Sequence, residues 1–181
     1  LPVAVGSPQK PMYRLLLVEL YGAMTMPLVQ KVRHGEDAAE VAKARAELTA
    51  IGTRAVKPLL DALGDEREAQ QRIAIEVLAY VENKNAGPSL FNFATGQADR
   101  ELRTRAMIAV GALRDPAMLP KLAQLLEPVL PPARGARGAE RALDAAPAEQ
   151  ISVAAAWAVA RTPGAKAEEL LARMLDASSP D

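Results

Sequence analysis

Apolar residues recur three and four positions apart along most of the chain, which is the spacing of amphipathic helices. The pattern returns after about 31 residues, since steps of 31 from Pro58 reach Pro27, Ser89 and Pro120, and each of these begins a similar apolar stretch. A second apolar stretch precedes each one, and helix-breaking residues such as Gly52 lie between the two. Each unit is therefore predicted to be a helical hairpin.

Five such units are predicted within a single domain, residues 1–181. The units cover about 11–34, 36–65, 67–97, 99–127 and 148–176. The first helices are predicted at 11–22, 37–51, 67–82, 99–113 and 148–161. The second helices are predicted at 25–33, 54–64, 88–95, 116–127 and 164–176, with a Pro at or near the start of several of them, where its missing N–H costs no helical bond. A Pro- and Gly-rich insertion over 128–147 interrupts the period.

One segment carries a resemblance to a known family. Residues 46–63, AELTAIGTRAVKPLLDAL, resemble a HEAT repeat of the short type found in phycobilisome-lyase-like HEAT proteins, and residues 99–127 echo it. The resemblance implies an all-α, right-handed α-solenoid whose second helices line a concave surface that holds partners. It implies nothing specific about chemistry, because the motif is a packing pattern.

Composition agrees with an all-α chain and excludes several functions. The 181 residues include 37 Ala and 23 Leu, which favour helices, and aromatic residues make up only 3%. Lys plus Arg and Asp plus Glu number 22 each, so no overall field favours a polyanion, and a dedicated nucleic-acid binder is disfavoured. Because Cys is absent, disulfides, thiolate nucleophiles and Cys-ligated zinc are excluded.

No catalytic or cofactor motif is present in the sequence. The chain has one His, His34, which excludes a multi-His metal site; beside Gly35 it is expected to be a solvated residue at a helix C-terminus. The acidic clusters 36–40, 65–68 and 168–169 are expected to cap helices. Trp157 is expected to fill the core among alanines. We therefore predict no enzyme activity, no cofactor and no metal.

Two features suggest binding surfaces. Stepping by 31 aligns Gln30, Asp61 and Asn92 in a column on the second helices, where they would form a polar ladder for an extended peptide. Phe93 and Gln124 belong to the neighbouring column, and Phe93 would be either an anchor or a core residue. In the insertion, Arg134, Arg137 and Arg141 are spaced three and four apart, so this segment is either an anion-binding element or a surface loop.

The first helix is apolar almost all round over residues 15–21, although a terminal repeat needs a polar face. Three coverings would explain this: Leu1–Gln9 folded over it, further chain upstream, or a homodimer through the first hairpin.

The chain begins at Leu1 without Met, so we expect that upstream sequence has been removed. The compartment would be cytoplasmic or, after loss of a signal peptide, periplasmic. The longest uncharged apolar stretches, 20–29 and 151–160, are shorter than the roughly 18 residues of a membrane span, which predicts a soluble chain.

These observations favour a non-enzymatic scaffold or adaptor that binds a protein partner through the concave face of the solenoid. The alternatives are an accessory or lyase-type subunit related to phycobilin-lyase HEAT proteins, and a HEAT-like protein that handles nucleic acid. The lack of a Cys or His cluster argues against the first alternative, and the balanced charge argues against the second.

Overall fold

A computed structural model of the protein describes residues 10–127 and 149–178. Every regular element within these two ranges is helical, as the composition predicts. The α-helices are α1 Lys10–His34, α2 Ala38–Leu63, α3 Glu68–Tyr80, α4 Gly87–Ala94, α5 Arg100–Ala112, α6 Leu119–Leu126, α7 Glu149–Arg161 and α8 Ala165–Ser178. Short 3₁₀ turns, Lys84–Ala86 and Pro116–Met118, lead into α4 and α6.

Acidic residues fix where several of these helices begin. The Asp37 carboxylate accepts a hydrogen bond of 2.8 Å from the Ala39 N–H at the start of α2, as predicted for its cluster. The Asp99 carboxylate likewise accepts hydrogen bonds from two N–H groups in the first turn of α5, those of Glu101 and Leu102. Each such cap satisfies backbone donors that have no partner within the helix, and is worth about 1 kcal/mol.

The helices pack in the order expected of a solenoid. Helices α3, α5 and α7 contact one another in sequence and form one layer, which we call the first-helix layer. Helix α4 packs against α5 and α6 packs against α7. The second helix of the third and fourth units therefore contacts the first helix of the following unit. Leu59, Leu90 and Leu122, about 31 residues apart, are completely buried. The predicted all-α solenoid is confirmed.

The first two units differ from the prediction, because α1 and α2 are each a single continuous helix and not a hairpin. Gly52, expected to separate two helices, and Gly22, at the predicted end of the first helix, instead allow close packing. A Cβ on Gly52 would lie 2.6 Å from the Cβ of Val81, and one on Gly22 would lie 2.9 Å from Cγ2 of Ile73. Tertiary contacts with α3 and its C-terminal end therefore account for these glycines, and the prediction of helix ends there was wrong.

Two prolines lie inside these long helices, Pro27 in α1 and Pro58 in α2. Each removes one backbone hydrogen bond, at a cost of about 3 kcal/mol. Burial next to each proline offsets that cost, since Val29 and Leu59 are completely buried. The same residue pattern that predicted a new helix at these prolines is therefore compatible with a continuous one.

Helix α1 buries one face and exposes the other. Val18, Thr25 and Val29 are buried, and the helix packs against α2 and α3, whereas large apolar side chains on the opposite face are about half exposed: Met12, Leu16, Leu20 and Met24. By length and composition, Leu15–His34 is apolar enough to cross a membrane, with a mean hydropathy of 1.2. This stretch is not one of the uncharged runs of the sequence, because Glu19 interrupts it.

Candidate interaction cleft

The described helices form a cleft of about 750 Å³. Helices α3, α5 and α7 of the first-helix layer line it, together with the C-terminal end of α1 and part of α2. Because it crosses successive units, the cleft is a product of stacking and not of any one hairpin.

Positive charge dominates the lining of the cleft. Seven basic side chains line it, whereas Glu76 and Glu82 are the acidic ones, which gives 7 − 2 = +5. The whole chain has a formal net charge of zero, so its charges are unevenly distributed. A cleft lined by one sign of charge focuses the field and attracts the opposite sign. The basic residues are Arg33, Arg45, Arg72, Lys84, Arg105, Arg114 and Arg161.

Some of these cations join neighbouring helices. Arg33 donates a 2.6 Å hydrogen bond from Nε to the Tyr80 hydroxyl and a 3.0 Å bond from Nη1 to Glu76, which ties α1 to α3. The bond to Tyr80 is the main cause that raises the pKa of Arg33 above its usual value, with the charge of Glu76 contributing. Arg45 pairs with Glu82 at 3.3 Å. These two ion pairs therefore hold the walls of the cleft together.

Glu101 binds two arginines of the cleft at once. Its Oε1 lies 2.9 Å from Nη1 of Arg72 on α3 and 2.8 Å from Nη2 of Arg105, one turn along α5. Hydrogen bonds from Arg105 and then from Arg72 lower the pKa of Glu101 below its ordinary value. The carboxylate thus links α3 to α5 at the edge of the cleft.

Three cations of the lining, Lys84, Arg114 and Arg161, form no ion pair with any other residue in the described ranges. They follow or end the three helices of the first-helix layer: Lys84 comes after α3, Arg114 comes after α5, and Arg161 is the last residue of α7. Arg161, in the last turn of α7, interacts favourably with the helix dipole. Their charges face a cleft that offers them no carboxylate partner.

Two residues of the lining have left-handed backbone conformations. Glu82 has φ of 52° and Arg114 has φ of 49°, and they occupy equivalent places just after α3 and α5. Glycine is the residue usually found at this position after a helix, because a side chain there costs about 1 kcal/mol. Both positions keep a charged side chain in spite of that cost.

Apolar groups interrupt the charged lining of the cleft. Trp157 is 39% exposed and Ile108 is 42% exposed, and both line it. The Arg161 guanidinium lies 4.9 Å from the centre of the Trp157 ring, in a cation–π contact. The far edge of the same ring packs on Gly111. The expectation that Trp157 fills the core was wrong, because Gly111 brings α5 so close to α7 that the ring is displaced toward the cleft.

A comparison with protein families agrees with this architecture. A family model described as HEAT repeats matches residues 56–144, from the second half of α2 onward. The chain contains HEAT repeats. No curated protein matches the chain. HEAT repeats commonly mediate protein interaction, and HEAT-repeat proteins are generally non-catalytic scaffolds.

The residues singled out from the HEAT-repeat register do not line the cleft. Gln30, Asp61, Asn92 and Gln124 are exposed, and Phe93 is half buried and packs against the core. Of these, Asp61 lines the second, smaller cavity of about 360 Å³. Gln30 and Asp61 lie in the C-terminal halves of continuous helices, so no separate second helix carries them. Their part in partner binding stays a prediction.

The structure describes some of the other residues named from the sequence and leaves others outside its ranges. His34 is exposed in the last turn of α1, as expected of a solvated helix C-terminus. Arg134, Arg137 and Arg141 lie outside the described residues. Within the described ranges, no group of three or more His, Asp or Glu residues is placed to hold a metal ion.

The repeat pattern did not predict the cleft, although two residues of the lining carry a signal in the sequence. In units three and four, a charged residue follows the apolar pair that ends the first helix: Glu82 comes after Val81, and Arg114 comes after Leu113. The period of the HEAT repeat therefore places charges at one edge of the array. Trp157 gave no such signal, because the insertion breaks the period before α7.

Replacing Glu101 with glutamine is expected to remove part of the acid sensitivity of folding. Because its pKa is lowered in the folded state, the carboxylate stabilises the fold above the pH at which an unfolded glutamate titrates, about 4.3. This stabilisation is lost as the pH falls through the folded pKa. The difference between wild type and Glu101→Gln should therefore be full near pH 7 and shrink below about pH 4.3, and urea unfolding at several pH values would measure it.

The matched control is Glu47→Gln, at an exposed glutamate of α2 with no ion pair to another described residue. It should leave the pH dependence as in wild type. A Glu101→Gln profile parallel to that of wild type at every pH would contradict the assigned pair. High salt should also reduce the difference, because exposed pairs are screened.

Proposed function

We propose that the protein is a non-enzymatic adaptor that binds a segment of a partner protein in the cleft of the first-helix layer. The cleft itself is the observation that supports this function. It crosses successive HEAT units and presents exposed Trp157 and Ile108 between cations. Trp and Arg are among the residue types most enriched at the positions that dominate binding energy in protein interfaces.

The columns of the second helices remain the alternative surface for the same function. Gln30, Asp61 and Asn92 are exposed and polar, which suits hydrogen bonds to an extended chain. None of the three lines the cleft, however, and Phe93, the proposed anchor, packs against the core. We therefore place the partner in the cleft.

Site-specific photo-crosslinking in an extract of the source cells tests this proposal. A photoreactive amino acid replaces Ile108 in the cleft, Asn92 on the second-helix column, or Val153, an exposed residue of α7 outside the cleft lining. We expect position 108 to capture a discrete protein that position 153 does not capture. Each variant is first checked for unchanged helicity by circular dichroism.

Competition identifies a specific occupant. An excess of unlabelled wild-type chain should abolish the adduct at position 108, and a Trp157→Ala substitution in the labelled chain should weaken it. Specific adducts at position 92 alone would move the site to the second-helix column. No specific adduct at either position would overturn the adaptor proposal.

A further inference from the structure

We propose that the occupant of the cleft is an extended acidic segment of the partner protein that carries an aromatic residue among its carboxylates. This inference rests on the proposed adaptor function and names the class of its partner. Three features of the cleft support it: the cations that have no ion pair within the described ranges, the distance between these cations, and the exposed apolar side chains that line the cleft with them.

The first step is the balance of charge. Glu76 pairs with Arg33, Glu82 pairs with Arg45, and Glu101 is shared by two further arginines of the lining. With Glu101 included, the seven cations face three carboxylates, which leaves 7 − 3 = +4. Three of the cations have no ion pair within the described ranges, so a negatively charged ligand would complement them.

The second step is the spacing of these unpaired cations. Arg161 ends α7, Arg114 follows the end of α5 by two residues, and Lys84 follows the end of α3 by four residues, at the start of a 3₁₀ turn. Packed helices lie about 8–10 Å apart, so the row extends over roughly 16–20 Å. An extended peptide rises about 3.3 Å per residue, so about six residues cover the row. Carboxylates about three residues apart would then meet successive cations.

The third step is the apolar content of the cleft. Ile108 on α5 and Trp157 on α7 expose large apolar side chains between the cations. An aromatic side chain of the segment can cover both and remove their surface from water. A segment with carboxylates alone would leave these groups exposed.

A nucleic acid fits the same cations less well. Phosphates along a strand carry negative charge at every nucleotide. Glu76 and Glu82 line the cleft and Glu101 adjoins it, so a strand would place phosphates near three carboxylates. A peptide can place uncharged residues and backbone there, which favours the peptide.

The left-handed residues agree with a binding role at this edge. Arg114 and Glu82 share the same strained conformation, with φ of 49° and 52°, where glycine would be relaxed. Changing either to glycine therefore relieves the same backbone strain while changing the charge of the cleft in opposite directions. This provides two variants that relieve the same backbone strain and are opposed in the predicted effect on binding. Glu82→Gly also removes the ion pair with Arg45, in which both side chains are more than half exposed, so that loss should change stability little.

The experiment measures the fluorescence of Trp157, the only tryptophan of the chain, during titration with synthetic peptides. The probes are capped hexapeptides with Phe at one position and Asp or Glu at the other five, as a set with Phe at each position in turn. The same set with Asn and Gln in place of the acids is the uncharged control. Hexathymidylate is the nucleic-acid probe.

We expect the acidic set to bind saturably and more weakly as salt is raised, and the uncharged set to bind at least about tenfold more weakly. Arg114→Gly should weaken acidic binding by about two- to fivefold, and Glu82→Gly should strengthen it. Both glycine variants should unfold at or above the wild-type temperature. The opposite signs exclude a purely structural explanation, since both changes act alike on the backbone.

Four results would overturn the inference. Two are no saturable binding of the acidic set and equal binding of the uncharged set. The third is tighter binding of hexathymidylate, which would assign the cleft to nucleic acid, and the fourth is weakening by both glycine variants alike. If position 108 captures a specific protein while acidic peptides fail, the adaptor function stands and the partner class is wrong. If neither occurs, both proposals fail.

Discussion

Replacing Gly111 with alanine is expected to destabilise the protein by about 1–3 kcal/mol, although alanine is the better helix former. Gly111 is buried in α5 where that helix meets α7. A Cβ there would lie 2.7 Å from the Cα of Ala158 and 2.8 Å from Cζ3 of Trp157. Backbone cannot yield as a flexible side chain can, so α7 would have to move away. Urea unfolding followed by circular dichroism measures the loss.

Gly64→Ala is the matched control, at the C-terminal end of α2. The nearest atom to a Cβ there is the carbonyl oxygen of Asp61 at 3.6 Å, an ordinary contact. Its φ of −87° is one that alanine adopts readily, so this change should be neutral or stabilise the fold by up to about 1 kcal/mol. Equal stability of the Gly111→Ala and Gly64→Ala variants would show that α5 and α7 do not approach as described.

The second large effect is expected from Leu90→Ala, which should cost about 2–5 kcal/mol. Leu90 is completely buried in α4, which packs against α5. Truncation removes the buried methyl groups and leaves a cavity that close-packed helices fill only in part. Because each HEAT unit stabilises its neighbours, the loss should lower the cooperativity of unfolding as well as its midpoint.

Leu20→Ala makes the same chemical change on the apolar face of α1, where the side chain is 53% exposed. In a monomer this substitution should change stability by no more than about 0.5 kcal/mol. Unfolding measured at two protein concentrations distinguishes a monomer from a dimer. A large loss at Leu20 that depends on concentration would mean that a second copy covers α1, as a homodimer through that region requires.

The repeat of apolar residues predicted the later units well, because their helices are bounded by strong local signals. Helices α5 and α6 begin close to the predicted positions, after an aspartate cap and a proline respectively. These signals act within one or two turns, so they can be found in a single sequence. The same holds for His34 at the end of α1.

Continuity of α1 and α2 could not be predicted from the sequence. A glycine is compatible both with a helix end and with close contact between helices. At Gly22 and Gly52 the deciding atoms belong to Ile73 and Val81, far along the chain. Local patterns cannot distinguish these cases, because the energy that decides lies in tertiary packing.

The cleft was missed for a related reason. The register of the repeat aligned Gln30, Asp61 and Asn92 correctly as exposed residues, but exposure alone does not create a cavity. The cleft depends on how far apart the helices of the first-helix layer lie, and at one side that distance is set by Gly111 against Trp157. The spacing of residues along the sequence does not encode the distance between the packed helices of this layer.

The continuity of α1 and α2 also has a mechanical consequence. Each is a continuous helix about 38 Å long, so neither of the first two units has a loop between its two halves, and each should be stiffer than the later units. In the C-terminal half, connections at residues 81–86, 113–118 and 162–164 interrupt the units. Elastic deformation should concentrate at these joints, which border the cleft. The N-terminal half of the array would then stay rigid while the C-terminal half flexes. The width of the cleft would adjust to the segment that the proposed function places in it.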